Sequence, residues 1–198
     1  MTAPTQQVGL RKGERTRRAI LQAAREQFQR LGYDAASIRT IAAAAAIDPS
    51  MVMRYFGSKE DLFAAAVDVD LRLPDLAGGP AGDRGRRLVQ HFLTRWEGDP
   101  ADDVLVLLLR SAVTHQAARE HVHAVFAQQL TVAVAAVSEP GTAERRAALI
   151  ATQMLGLALC RYVLRLPGVA TATAAQLVAD LAPTVQRYLT DPLPDPGT

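Results

Sequence analysis

The sequence predicts an all-α protein. Three observations carry that expectation. Hydrophobic residues fill 49% of the 198 positions, enough to build a sizeable core and too many for a disordered chain. Alanine and leucine dominate while β-branched runs stay short, and both residues cost little to hold in a helix. Apolar side chains also recur at helical spacing between clear Pro/Gly breaks.

The elements follow in chain order. Residues 1–10 lack periodicity and read as a tail. Between Gly13 and Leu31, Ile20, Ala23, Ala24, Phe28 and Leu31 form one apolar stripe of a first helix, and Gly32 is its stop. Ser37 is a good N-cap for a short helix over Ile38–Ala45. Asp48-Pro49 is a cap and first-turn pair, since proline lacks an N–H that the first turn does not use. It opens a second short helix over Pro49–Tyr55. Gly57 interrupts, and Ser58 with Asp61 three residues on approximates a capping box for a helix reaching about Leu73.

Pro74–Gly82 is rich in proline and glycine and reads as a loop. Beyond it the pattern predicts helices near Asp83–Glu97, Asp102–Thr114, Ala117–Val137, Ala143–Leu166 and Ala174–Tyr188. Their breaks are Gly98-Asp99-Pro100, Glu139-Pro140-Gly141 and Pro167-Gly168. Three prolines make Asp191–Thr198 a loose tail. No internal repeat is evident.

Several function classes lose support. The single cysteine, Cys160, rules out a disulfide within the chain and fits a reducing compartment. It lies in an apolar helix, the setting of an inert thiol rather than a nucleophile. The N-terminus lacks the apolar core of a signal peptide. No stretch reaches the roughly 18 apolar residues of a membrane span; Ala147–Cys160 comes nearest, broken by Thr152 and Gln153. A cytoplasmic protein without membrane contact is expected. His121 and His123 are two apart and face different sides of a helix, so no metal site is expected. HExxH, CxxC, GxSxG and glycine-rich phosphate loops are missing. The sequence therefore predicts no enzyme, catalytic residue or cofactor.

Charge is distributed unevenly. Residues 1–60 carry ten Lys/Arg against five Asp/Glu, a net of +5, while the remainder holds twelve against fifteen, a net of −3. A basic segment joined to a mildly acidic one points to a polyanion meeting only the first part.

Two short helices joined by a tight turn, after a longer first helix, make a helix-turn-helix. Ile38, Ile41, Ala42, Ile47 and Val52 can close a miniature core, leaving the other face of the Pro49–Tyr55 helix free for a DNA major groove. Small residues from Ala42 to Ala46 permit close helix approach.

Over Arg17–Phe63, RRAILQAAREQFQRLGYDAASIRTIAAAAAIDPSMVMRYFGSKEDLF, the sequence resembles the tetracycline-repressor (TetR) family of bacterial regulators. The matching order is Ile20, Ala23 and Phe28, then Gly32-Tyr33, Ser37-Ile38-Arg39-Thr40-Ile41-Ala42, Ile47, and Tyr55-Phe56-x-Ser58-Lys59-Glu60-x-Leu62. It covers the first third of the chain. The later helices are similar to that family's regulatory domain, most nearly the actinobacterial type.

The resemblance implies roles. Ser37 and Arg39 match positions that touch phosphate or the groove edge. Ser50, Met51, Met53 and Arg54 occupy exposed recognition-helix positions. Tyr55 and Lys59 match phosphate contacts, and a lysine at a helix start adds its charge to the free N–H groups there. Two departures stand out. Ala46 replaces the usual turn glycine. Met51 and Met53 replace polar or aromatic groups, so apolar contact with thymine methyls is expected there, or one of the two joins the core. Arg54 is then the candidate for reading a guanine, with a phosphate contact as its alternative. Arg11, Lys12, Arg15, Arg17 and Arg18 reach a minor groove or the backbone, or else form a solvated arm.

The expected organisation is a basic arm over 1–12, a DNA-binding domain over 13–58, a regulatory and dimerisation domain over 59–190, and a tail over 191–198. The resemblance implies a homodimer on a palindromic double-stranded DNA operator, with recognition helices roughly 34–36 Å apart, acting as a repressor. Leu155, Leu159, Tyr162, Val163, Leu177, Leu181 and Val185 are the candidate dimer interface, with packing inside one monomer as the alternative. Phe92 and Trp96 lie four apart on one helical face, and Arg110 sits in the apolar run VLVLLLRSAV. These three are the candidate site for a hydrophobic small-molecule effector. For Arg110, and equally for Arg161, a structural ion pair is the competing reading. The rival function is a helical protein-interaction module without sequence-specific DNA binding, which leaves the basic first third unexplained.

Overall fold

The computed structural model describes residues 12–97 and 103–194. Most of the expected arm (1–12), the Gly98-Asp99-Pro100 break and the end of the tail lie outside the described residues. All regular structure within them is helical. No helix of the described residues is long and apolar enough to cross a membrane. The chain divides into two compact units, the first ending at Asp68 and the second starting at Val69.

The first unit holds α1 (Lys12–Ala35), α2 (Ile38–Ala44), α3 (Pro49–Phe56) and α4 (Lys59–Ala66). Its boundary lies beyond position 58 because α4 packs on α1: Leu62, Phe63 and Ala66 are buried with Ile20, Ala24 and Phe28. Arg25 Nε donates to the Ala66 carbonyl at 2.7 Å and ties the end of α4 to α1. Gly32 breaks the regular geometry of α1 at φ 78°, the left-handed region that glycine enters without strain. All three expected caps form. Ser37 Oγ accepts from Thr40 N at 3.1 Å, an Asp48 carboxylate oxygen accepts from Ser50 N at 2.8 Å, and Ser58 Oγ accepts from Asp61 N at 2.9 Å. Ile41, Ala42 and Val52 are fully buried and close the small core that joins α2 to α3.

The helix expected to reach Leu73 stops at Ala66. Val67, Asp68, Val69 and Asp70 are all weak helix formers, and the chain runs on without regular structure until Ala81.

The second unit comprises a short 3₁₀ turn (Ala81–Asp83), α5 (Arg84–Glu97), α6 (Asp103–Ala112), α7 (Gln116–Val125), α8 (Thr131–Ala135), α9 (Ala143–Ala158), α10 (Pro167–Ala170) and α11 (Ala174–Thr190). The expected helix over Ala117–Val137 is interrupted by a π-helical stretch, Phe126–Leu130. A second such stretch, Leu159–Val163, extends α9. The Pro167-Gly168 break is a four-residue helix with proline in its first turn. The core joins Leu88, Val89 and Leu93 of α5 to Ile150, Met154 and Leu157 of α9 and to Leu177, Val185 and Leu189 of α11. Buried Arg146 is satisfied by the Tyr188 carbonyl at 2.7 Å and by Thr142 Oγ1 at 3.0 Å.

Candidate nucleic-acid interface and effector cavity

Helix α3 shows how the first unit presents a reading surface. Burial of Val52 fixes its roll. The opposite face then carries Ser50, Met53 and Arg54, all exposed, with Met51 and Tyr55 half-buried beside them. Arg54 lies in the last turn, where a cation offsets the partial negative charge of the helix end. Its guanidinium carbon stands 5.8 Å from the centre of the Tyr55 ring. The Tyr55 hydroxyl lies 3.4 Å from where a Cβ on Gly13 would be, so α1 begins beside it. Arg17 of α1 packs over Phe56, 5.2 Å from its ring centre. Arg39 is exposed on α2.

Lys59, at the start of α4, donates to the Asp34 carbonyl at 3.2 Å. Its Nζ stands 4.5 Å from the centre of the Tyr33 ring. Tyr33 packs edge-on against Phe63 with centroids 5.0 Å apart, and its hydroxyl donates to Glu60 at 3.0 Å. Burial first, then the bond to Glu60, push the Tyr33 phenol up to about 12. The exposed Glu60 is held below the usual carboxylate range by its own backbone N–H first, and then by the Tyr33 hydroxyl. Asp48 is likewise lowered, by its bonds to the Ser50 side chain and backbone.

The second unit holds a cavity of about 110 Å³. Its wall is almost wholly apolar: Phe92 and Trp96 of α5, Leu105 and Leu108 of α6, Phe126 and Leu130 of the first π-helical stretch, and Ile150 and Met154 of α9. Val69, Leu71 and Leu73 of the segment after α4 close one side. Trp96 meets two rings, Phe92 tilted at 5.4 Å and Tyr162 stacked at 4.9 Å between ring centres. His91 and Arg95 are the basic lining residues. The His91 ring nitrogen meets the Leu71 carbonyl at 2.9 Å and Arg95 donates to the Asp70 carbonyl at 3.3 Å. Among the described residues, no group of three or more His, Cys, Asp or Glu side chains is placed to hold a metal.

Comparison with known proteins fits both halves. Residues 20–66 match the bacterial regulatory proteins of the tetR family, and residues 83–189 match the tetracyclin repressor-like C-terminal domain. The second match alone spans more than half of the chain. The chain belongs to the TetR family of transcriptional regulators. A TetR-family regulator from Streptomyces coelicolor A3 is 35% identical, with 92% of this chain and 99% of that one covered at a TM-score of 0.67. A TetR-family transcriptional regulator from Mesorhizobium loti shares the fold at 19% identity, with 91% and 98% covered and a TM-score of 0.63. A transcriptional regulator from Saccharomonospora viridis, solved in complex with choline, shares it at 19% identity, with 87% and 96% covered and a TM-score of 0.60. No curated protein matches the chain significantly.

This TetR-family chain brings Arg39, Ser50, Met53, Arg54, Tyr55 and Lys59 into the DNA-binding unit without burying any of them. Neither methionine is core; Met53 is 43% exposed. The Ser37 hydroxyl is already occupied, since it caps α2 through Thr40. Phe92 and Trp96 do meet in the cavity, but Arg110 does not join them: it is exposed and outside the wall. The stripe that buries α6 runs through Val104, Leu107, Leu108 and Ser111, and Arg110 falls on the other side. Arg161 is structural. It pairs with Glu97 at 2.8 Å and donates to the carbonyls of Val169 at 2.6 Å and Ala172 at 2.9 Å.

The residues expected at the dimer interface fall in different places. Leu177 and Val185 are buried in the core of the single chain. Leu155 lines the cavity, and Tyr162 is turned onto Trp96 and Glu97. Leu159 keeps an exposed apolar surface, and Val163 and Leu181 are half-buried. Sequence reasoning missed His91, Arg95 and Gln129, whose polar ends fasten the segment after α4. It also missed the Tyr33–Glu60 bond. Tyr33 and Glu60 each carried a sequence signal, in the Gly32-Tyr33 and Ser58-Lys59-Glu60 matches, but nothing in the sequence joined them.

Proposed function

We propose that this regulator is a homodimeric repressor of a pseudo-palindromic operator, acting in the cytoplasm and released by a small hydrophobic effector. The observation that supports DNA reading is the roll of α3. Burial of Val52 turns Ser50, Met53 and Arg54 outward together, in a unit of positive net charge. Arg54 reads a guanine edge or a phosphate, the two methionines contact thymine methyls, and Arg39, Tyr55 and Lys59 hold phosphates. A second copy docks on the apolar surface that includes Leu159, beside the half-buried Val163 and Leu181. The apolar cavity around Trp96 receives the effector. Occupancy shifts the spacing of the two recognition helices and lowers operator affinity.

The test is selection of random or genomic DNA on the purified protein. It is followed by fluorescence anisotropy on the winner at about 150 mM salt. A palindromic winner, bound tightly by the wild type and lost in Tyr55→Ala/Lys59→Ala, is the expected result. Recovery of no common sequence by a folded dimer, both free and with its α1–α4 unit grafted on a known dimer, overturns the reading.

A further inference from the structure

The segment that leaves α4 is an unusual connection. Over Val69–Leu73 it has no regular structure, yet alternate side chains, Val69, Leu71 and Leu73, all line the cavity. The wall residues are thus spaced two apart, as on extended backbone up to Leu71. Its main chain is held by side chains from two directions. Gln129, in the π-helical stretch Phe126–Leu130, accepts from Leu71 N at 2.7 Å and donates to the Val69 carbonyl at 2.8 Å. From α5, His91 meets the Leu71 carbonyl at 2.9 Å and Arg95 donates to the Asp70 carbonyl at 3.3 Å. Between Leu71 and Leu73, Arg72 adopts φ 48°. A side chain with a Cβ is strained in that region, and such strain persists only where surrounding contacts enforce it.

We propose that Val69–Leu73 is a strained strap that reports occupancy of the cavity, and that the effector it reports is a compact, uncharged apolar molecule of about one ring. This rests on reading the second unit as the effector-binding unit. The size follows from the volume: about 110 Å³ is comparable with the cavities of about 150 Å³ that take up benzene. The charge follows from the wall. None of the described lining residues carries a carboxylate to pair with a cation. The two basic ones, His91 and Arg95, have turned polar atoms onto strap carbonyls. A cationic ligand would therefore be buried without a partner, and an anionic one would compete with the strap carbonyls for His91 and Arg95 and so loosen the clasp. An apolar guest instead bears on Val69, Leu71 and Leu73 directly. The clasp keeps backbone and side chains together, so displacement of the wall is displacement of the chain that runs straight into α4. Interruptions of the α-helical ladder by π-type turns recur at functional sites, and the one here carries Gln129.

The chain has one tryptophan, Trp96, and it stands in the cavity wall. Iodobenzene, a heavy-atom quencher, is expected to quench its fluorescence saturably, with benzene competing. The charged probes 4-iodobenzoate and 4-iodobenzylammonium are expected to bind at least about tenfold more weakly. Benzene is expected to change the affinity for the selected operator about tenfold. In Gln129→Leu, quenching by iodobenzene stays within about twofold while that effect on the operator disappears. Arg72→Gly, an exposed change that relieves the left-handed strain, reduces it too and serves if Gln129→Leu does not fold. Absence of saturable quenching overturns the cavity as a binding site, and with it the effector reading. Quenching that leaves operator affinity unchanged, or a benzene effect that survives these variants, overturns the strap alone. Equal binding of a charged probe overturns the ligand class.

Discussion

Lys59 Nζ stands 4.5 Å from the centre of the Tyr33 ring, which itself packs edge-on against Phe63 and parallel to Phe28. The lysine is thus aimed before any DNA arrives, by a cation–π contact and by the Asp34 carbonyl at 3.2 Å. Preorganisation lowers the entropy cost of fixing a long side chain on a phosphate. Lys59→Ala is expected to weaken operator binding by about 1–2 kcal/mol, by similar amounts for specific and nonspecific DNA. The slope of log K against log salt should fall by about 1. Anisotropy titrations at several salt concentrations measure both. The contact at the fold's surface is weak, so thermal stability should move little.

Ala46 sits in the turn between α2 and α3 at φ 54°. An L-residue there costs about 1–2 kcal/mol relative to the right-handed region. Glycine removes that cost but adds freedom to the unfolded chain, worth about 0.4–1 kcal/mol in the opposite sense. Strain relief wins, and Ala46→Gly is expected to stabilise the DNA-binding unit by about 0.5–1 kcal/mol. Ala46→Val should destabilise it, because a β-branched side chain tolerates this region poorly. Urea midpoints for the three proteins check the order.

Acid should loosen the reading head first. Asp48 and Glu60 both have lowered pKa values in the folded unit. A lowered value contributes stability that is present above the unfolded pKa and lost as pH falls through the folded one. The cap of α3 and the Glu60–Tyr33 bond at the first turn of α4 therefore weaken as the pH drops below the ordinary carboxylate range. Asp48→Asn keeps an N-cap acceptor without the titration and should flatten that acid limb in a circular-dichroism series. At the other end, Tyr33 is raised to about 12. Its contribution is complete below the ordinary tyrosine value and disappears as pH rises through the folded one.

How much of this was legible in the sequence depended on whether the signal was local. Ser37, Asp48-Pro49 and Ser58 act within three residues of themselves, so three caps and the helix-turn-helix could be read directly. Arg110 could not, because Val106 and Leu109 conceal where the polar side of α6 begins. Val67–Leu73 alternates valine and leucine with aspartate and arginine, a period-two pattern, yet it follows a capped helix and was expected to continue it. What satisfies the backbone beyond the weak helix formers is distant: Gln129 supplies the strap with hydrogen bonds from some sixty positions away. The burial of two dimer candidates was hidden for a similar reason. One apolar stripe on α11 serves either a partner or the chain's own core, and Leu177 and Val185 serve the core.

Gly85 shows what the core of the second unit demands at its tightest point. A Cβ there would lie 2.5 Å from the Ala182 carbonyl oxygen and 2.5 Å from Gln186 N, both backbone atoms of α11. The Gln186 side chain then locks the two helices in this register. Its oxygen accepts from Gly85 N at 2.8 Å, and its amide donates to the Ala81 carbonyl at 3.0 Å. Backbone cannot yield as a flexible side chain would, so Gly85→Ala must push α5 away from α11 along their whole contact. The gain in helix propensity, about 1 kcal/mol, does not offset this. A net loss of about 2–3 kcal/mol is expected in the second unit. Gln186→Ala should cost about 1–2 kcal/mol, because it leaves the Gly85 N–H without its partner. Its effect should be far from additive with that of Gly85→Ala, since the first change already breaks the contact the second removes. Chemical denaturation of the two single variants and the double one, followed by Trp96 fluorescence on α5, measures the coupling; simple additivity would mean that Gly85 and Gln186 act separately.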